Sequence, residues 1–85
     1  MAKIDKDKVW EKGKVIPNKN PNLFREDQYG NQIYKHSYGK RSEQGWEIDH
    51  SKPVSKGGTD HINNLNPTQW RKNREKSDKY PYKKD

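Results

Sequence analysis

The chain has no cysteine. That excludes a disulfide framework and any zinc site built from thiolates. Apolar residues are also scarce: 25% of the sequence is hydrophobic against 36% charged, with one Phe and one Met. No stretch approaches the roughly 18 consecutive apolar residues that a membrane-spanning helix needs. A membrane is therefore not an expected partner. The stretch from Met1 to Trp10 is charged throughout and lacks the apolar core of a secretion signal. The protein is accordingly expected to remain in the cytoplasm. No internal repeat or low-complexity tract is visible.

What the sequence does contain is aromatic side chains and positive charge. Aromatics make up 11% and are spread from Trp10 to Tyr82. Each buried aromatic removes a large apolar area from water, so a few can build a small core. The candidate core is Trp10, Val15, Ile16, Leu23, Phe24, Tyr29, Ile33, Tyr38, Trp46, Ile48, Val54, Ile62, Leu65 and Trp70. The 85 residues leave room for a single domain over 1–85. A chain this short usually needs a staple beyond its core, and a metal held by His, Asp or Asn is one that this composition allows. The formal net charge of +7 favours a polyanionic partner, most often nucleic acid. The plainer alternative is a solvated basic surface with no such partner.

Along the chain, residues 1–20 read as an N-terminal arm, with a short helix or extended segment before Lys14 and a loop from Pro17 to Pro21. Asn22 to Tyr38 reads as a β-hairpin. Leu23-Phe24-Arg25 leads in, Asp27 to Asn31 supplies turn chemistry, and Gln32-Ile33-Tyr34 leads out. Gly39 to Gly45 is a polar loop. Trp46-Glu47-Ile48-Asp49-His50 alternates apolar and polar side chains, as a half-buried strand does. Pro53 and Gly57-Gly58 make the following stretch a loop. Leu65-Asn66 is a short second strand ended by Pro67. Thr68 is the expected cap of a helix through Gln69 to Asp78. From Arg71 onward, seven Lys or Arg stand against three Asp or Glu, and 79–85 forms a basic tail.

The informative stretch is 46–78. It orders an Asp-His pair (Asp49-His50) at a strand end, a Gly-Gly loop, Asn64-Leu65, and a basic helix carrying Asn73-Arg74-Glu75-Lys76. His50 to Asn64 spans 14 positions and His50 to Asn73 spans 23. In residue types and spacing this resembles the HNH, or ββα-metal, nuclease motif of RNA-guided CRISPR effectors and of small stand-alone HNH proteins of bacteria and phages. The third motif residue is Asn rather than His, an HNN variant. The resemblance extends more weakly toward Trp10 through Arg25, Asp27, Gly30, Ile33, Tyr38 and Gly39. It implies an α+β fold: a ββα-metal core, with the additional N-terminal hairpin and arm packed outside.

The resemblance also implies an activity: hydrolysis of DNA phosphodiester bonds by a one-metal mechanism, leaving 5′-phosphate and 3′-hydroxyl ends. The chemistry needs a group that takes a proton from water near neutral pH, and histidine is that group. It needs a divalent cation beside the scissile phosphate, and the oxygens of Asp and Asn suit a hard ion such as magnesium or manganese, other transition metals remaining open. By the resemblance His50 is the general base, Asp49 and Asn73 are the metal ligands, and Asn64 holds His50 in place across the loop. Arg71, Lys72, Arg74 and Lys76 are the candidate contacts to DNA phosphates. Double-stranded DNA is the expected partner. Backbone contacts carry little sequence information, so any specificity would come from a partner protein.

Neighbouring strand residues point to opposite faces, so Asp49 and His50 can share a site only where the strand ends and the backbone turns. The Cys-x-x-Cys pairs that hold a structural zinc in many HNH relatives are missing; Gln69 and Lys72 stand where one pair would be. No structural zinc is expected. Asn63 competes with Asn64, and the family pattern of Asn directly before Leu selects Asn64. His61 reads as a surface residue of the loop, His36 as a structural or solvated residue of the hairpin, and Asp60 as a residue that closes the loop. Two alternatives stand beside the nuclease: a catalytically inactive DNA-binding module of the same fold, and a basic RNA-binding or assembly protein with little stable structure.

Overall fold

Asp5 starts the first element. Its carboxylate accepts the backbone N–H groups of Asp7 and Lys8 at 3.0 and 3.3 Å, capping a five-residue helix, α1 (Lys6–Trp10). This turn is the helical part of the expected arm, and it brings Val9 and Trp10 into the interior. The computed structural model describes residues 3–76; the basic tail at 79–85, Tyr80, Tyr82 and the motif's last two positions lie outside them.

Three short strands follow: β1 (Lys14–Val15), β2 (Phe24–Glu26) and β3 (Gln32–Tyr34). They form an antiparallel sheet in the order β1-β2-β3, with Lys14 opposite Glu26 and Phe24 opposite Tyr34. Where the sequence suggested a hairpin over 22–38, the sheet thus has a third strand drawn from the arm. The β2–β3 turn is organised by Asp27, which is almost fully buried. Its carboxylate accepts the N–H groups of Tyr29 and Asn31 at 2.9 and 2.8 Å. Its other oxygen accepts the N–H of Gln69 at 2.9 Å, tying this turn to the far end of the chain. Gly30, at φ 87°, supplies the left-handed residue of the turn.

The second sheet is a two-stranded antiparallel ribbon of β4 (Trp46–His50) and β5 (Leu65–Gln69). Its register places Trp46 opposite Gln69, Ile48 opposite Pro67 and His50 opposite Leu65. This corrects the expectation that Pro67 ends the strand. The bonds Trp70 N–H to Gly45 O (3.0 Å) and Ser51 N–H to Asn64 O (2.8 Å) fix the phase of the ladder. Hydrogen-bonded and non-bonded pairs alternate between them, and Ile48–Pro67 falls on a non-bonded pair. A proline there sacrifices no ladder bond. The helix consequently starts later, as α2 (Trp70–Lys76). Thr68 is a fully buried strand residue, not its cap. Gln69 takes that role, its Oε1 accepting the N–H groups of Arg71 and Lys72 at 2.9 and 3.3 Å.

Trp10, Ile33 and Trp46 form the centre of the core, with Ile48 packed against them. The two indoles lie 5.2 Å apart and tilted, and each N–H is used: Trp10 donates to the Pro21 carbonyl and Trp46 to that of Lys35. One helix, one strand of the outer sheet and one strand of the ribbon therefore meet at three side chains. Val9 and Leu65 are also buried. Four expected core members are exposed instead: Val15, Tyr38, Val54 and Ile62. Val15 sits on the two-residue edge strand. Val54 and Ile62 sit on the single 3₁₀ turns Val54–Lys56 and Ile62–Asn64 of the loop between β4 and β5. Tyr38 lies at the surface with its ring edge-on to Trp46.

Candidate active site

Strand alternation sorts β4 into two rows. Trp46 and Ile48 enter the core, while Glu47 and Asp49 meet α2. From the helix, Asn73 and Lys76 stand one turn apart on the side facing this acidic row. Asn73 donates from Nδ2 to Glu47 Oε1 at 3.0 Å, and Lys76 donates from Nζ to Asp49 Oδ1 at 3.0 Å. Arg74 reaches the second oxygen of Glu47 at 3.1 Å. The result is a polar seam between β4 and α2 in which each carboxylate has a cationic partner.

Asp49 is the most enclosed member, at 2% exposure. Burial pushes its carboxyl above the ordinary carboxylate range, and the Lys76 ammonium, the nearby His50 and the Gln28 amide at 3.3 Å oppose that rise. Lys76 is itself 3% exposed, so it is not the solvent-facing phosphate contact that the basic helix suggested. Its ammonium is spent on two acceptors, the Asp49 carboxylate and the His50 carbonyl at 2.7 Å. The physical reason is the phase of α2 on β4: starting at Trp70, the helix turns position 76 inward against the one carboxylate that burial would otherwise leave uncompensated.

His50 is the last residue of β4, and the chain bends at Ser51 and Lys52. The pair Asp49-His50 thus lies where the strand ends. Their side chains nevertheless find different partners. Asp49 turns to α2, and the His50 ring turns to the loop, where Nε2 lies 2.7 Å from Asp60 Oδ1. Lys76 is what joins them, through one side chain and one carbonyl.

Asn64 braces this loop. Its Oδ1 accepts the N–H of Lys52 at 2.8 Å, and its Nδ2 donates to the carbonyls of Lys52 and Thr59 at 3.1 and 2.7 Å. One amide thereby clips both ends of the excursion next to His50. The loop is so tight at Gly58 that a Cβ there would lie 1.8 Å from the Lys52 carbonyl oxygen. Among the described residues Asn63 makes no comparable brace; its backbone N–H is held by His61 Nδ1 at 3.1 Å. His61 is exposed and caps the 3₁₀ turn, and His36, also exposed, stacks edge-on against Tyr34.

The remaining predicted residues lie elsewhere on α2. Arg71 is exposed and stacks over Trp70, 5.3 Å from the ring centre. Lys72 pairs with Glu75 at 3.5 Å and lies over the Tyr29 ring. Both line a cleft of about 500 Å³ against Asn31, Gln32 and Gln44, apart from the Asn73–Glu47 contact. Three members of the site were not foreseen: Glu47, Gln28 and Asp60. Glu47 was within reach of a sequence argument, since a strand residue two before Asp49 shares its face. Asp60 was also within reach, since a loop returning to pair Leu65 with His50 must pass His50 just before Asn64. Gln28 carried no signal.

Among the described residues, no three His, Cys, Asp or Glu side chains cluster as a ready-made metal cage. The donor set that α2 and β4 supply is carboxylate and carboxamide oxygen. That chemistry fits a hard divalent ion such as magnesium, which commonly takes one or two carboxylates from the protein and fills its other positions with water and substrate phosphate. Asp49 and Asn73 match it in donor chemistry, the two Asp49 oxygens here accepting from Lys76 and Gln28 and the Asn73 Nδ2 donating to Glu47.

A family model described as HNH endonuclease matches residues 27–82, about two thirds of the chain. No curated protein and no solved structure matches it.

Proposed function

The chain belongs to the HNH endonuclease family, and from that premise we propose that it is a metal-dependent DNA endonuclease with His50 as its general base. Membership implies nuclease action on DNA, and the family generally uses one divalent metal ion. The observation that carries the finer reading is the docking of α2 on β4. It sets Asn73 and Lys76 against Glu47 and Asp49, immediately before His50 in the chain.

In this reading water attacks the scissile phosphorus, His50 takes the proton that the water loses, and the 3′ oxygen leaves. Asp49 and Asn73 would hold the divalent ion, which when bound would supply positive charge beside the scissile phosphate. Lys76 donates to the Asp49 carboxyl and holds it in place within a buried setting. Asn64 keeps the loop beside His50 from opening. Arg71, Lys72 and Arg74 hold backbone phosphates of double-stranded DNA, an interaction blind to sequence. Arg74 must exchange its bond to Glu47 to do so.

The test is nicking of a supercoiled plasmid by the purified chain with magnesium, with manganese, and with EDTA. Cleavage is expected with at least one ion and is abolished by the chelator. Binding of DNA without cleavage under every divalent ion would instead favour an inactive DNA-binding module of the same fold.

A further inference from the structure

We propose that Asp60 is a positioning residue for His50: its carboxylate holds the imidazole as the Nε2–H tautomer and leaves Nδ1 as the nitrogen that accepts the proton. The inference rests on the reading of His50 as general base. It starts from the 2.7 Å contact between His50 Nε2 and Asp60 Oδ1. That length is typical of a charge-assisted N–H···O bond. A neutral imidazole has one N–H and one lone pair, and an ionised carboxylate can only accept. The bond therefore requires the hydrogen on Nε2. The lone pair is then on Nδ1, the nitrogen left to act as a base.

Two further observations separate this contact from an incidental surface pair. The partners are ten residues apart on opposite limbs of the loop, and the loop is clamped independently of them by the Asn64 amide at Lys52 and Thr59. Asp60 follows Thr59 directly, so its backbone position is set before its side chain bonds anything. The His50 side chain is 24% exposed and that of Asp60 48%, so the imidazole end of the bond is the more shielded one. An imidazole held by a carboxylate at one nitrogen keeps its tautomer and ring orientation through the reaction, and this is the arrangement that orients the base of serine hydrolases. Here the same job falls to a loop residue whose sequence context suggested only turn closure.

The experiment compares single-turnover cleavage by the full chain, with the ion that supports nicking, for the parent, Asp60→Ala, Asp60→Asn and His50→Ala. Nitrogen-15 NMR of the His50 ring accompanies it. Asp60→Ala is expected to cut about 10- to 100-fold more slowly, as when partners that orient an imidazole are removed, with DNA affinity unchanged. The His50 ring nitrogens should lose the signature of a single Nε2–H tautomer. Asp60→Asn, which keeps an acceptor oxygen but not its charge, should fall between. Should the alanine variant fail to melt cooperatively, the asparagine variant carries the test alone, with a slowed rate and shifted ring resonances expected. Parent-like rates and ring resonances in a folded Asp60 variant overturn the assignment. If His50→Ala is inactive at the same time, the general-base reading survives that failure; if His50→Ala cuts like the parent, both fall.

Discussion

Removing the Lys76 ammonium would leave Asp49 as a buried carboxylate facing only the long bond from Gln28. Breaking one side of a buried pair typically costs about 3–5 kcal/mol, because the surviving charge is stranded. Lys76→Met should lose stability of that order in urea unfolding. The double variant Asp49→Asn/Lys76→Met should lose much less than the two single variants together, since neither charge is left alone. Additive losses would show that the two groups do not interact in solution. The pair also sets a pH dependence. Burial raises the Asp49 carboxyl above its unfolded value, so its ionised form costs the fold. The stability linked to this group is greatest below the ordinary carboxylate range and declines as pH climbs through the raised value. Asp49→Asn should lack that decline. At this scale the sequence was most legible in the order and spacing of Asp49, His50, Asn64 and Asn73, which carry the resemblance to the HNH family. Their partners were not legible, because Lys76 to Asp49 and Asn73 to Glu47 are contacts across elements whose relative phase no local pattern encodes.

The elements were misjudged where a local rule met a tertiary one. Proline is a strand breaker on average, yet Pro67 lies opposite Ile48 at a position that donates nothing to the ladder. Thr68 is a better helix cap than glutamine by propensity, yet pairing with Glu47 keeps it in the strand and passes the cap to Gln69. Those two shifts move the start of α2 and, with it, the face that Lys76 occupies. One carboxylate holds the junction in place. Asp27 accepts backbone N–H groups from Tyr29, Asn31 and Gln69, the last bond being buried. Hydrogen bonds to charged groups contribute about 1.5–3 kcal/mol each, and a buried donor left unsatisfied adds to the loss. Asp27→Ala should therefore destabilise by about 3 kcal/mol or more in urea or thermal unfolding, although residue 27 lies far from β5 in sequence. A loss below about 1 kcal/mol would mean that the turn and the β5–α2 junction are not joined through it.

Across the molecule, a core centred on two indoles and one isoleucine joins the outer sheet to the ribbon, without cysteine anywhere in the chain. The aromatic share made such a core legible. The selection of Val9 over Val15 and Val54 was not, since it depends on which surfaces face each other once the sheets are stacked. The charge of +7 was legible too, and it makes a distinction between individual cations. If DNA is held by its phosphates, the affinity should fall steeply with salt. Arg71 is exposed and bonded to no carboxylate among the described residues, so Arg71→Ala should lower the salt slope by about one. Arg74 must first leave Glu47, so Arg74→Ala should change the slope less. Equal slopes for the parent and Arg71→Ala would remove that residue from the DNA-binding surface.

The most direct trial of the whole account is cleavage of plasmid DNA by His50→Ala, measured beside the parent at equal DNA occupancy and with equal thermal stability established first. General-base contributions are typically about 10²- to 10⁴-fold. The variant should bind DNA as the parent does and lose cleavage by that order. Undiminished cutting by a folded His50→Ala would contradict the assignment of the proton acceptor, and with it the chemistry proposed for the end of β4.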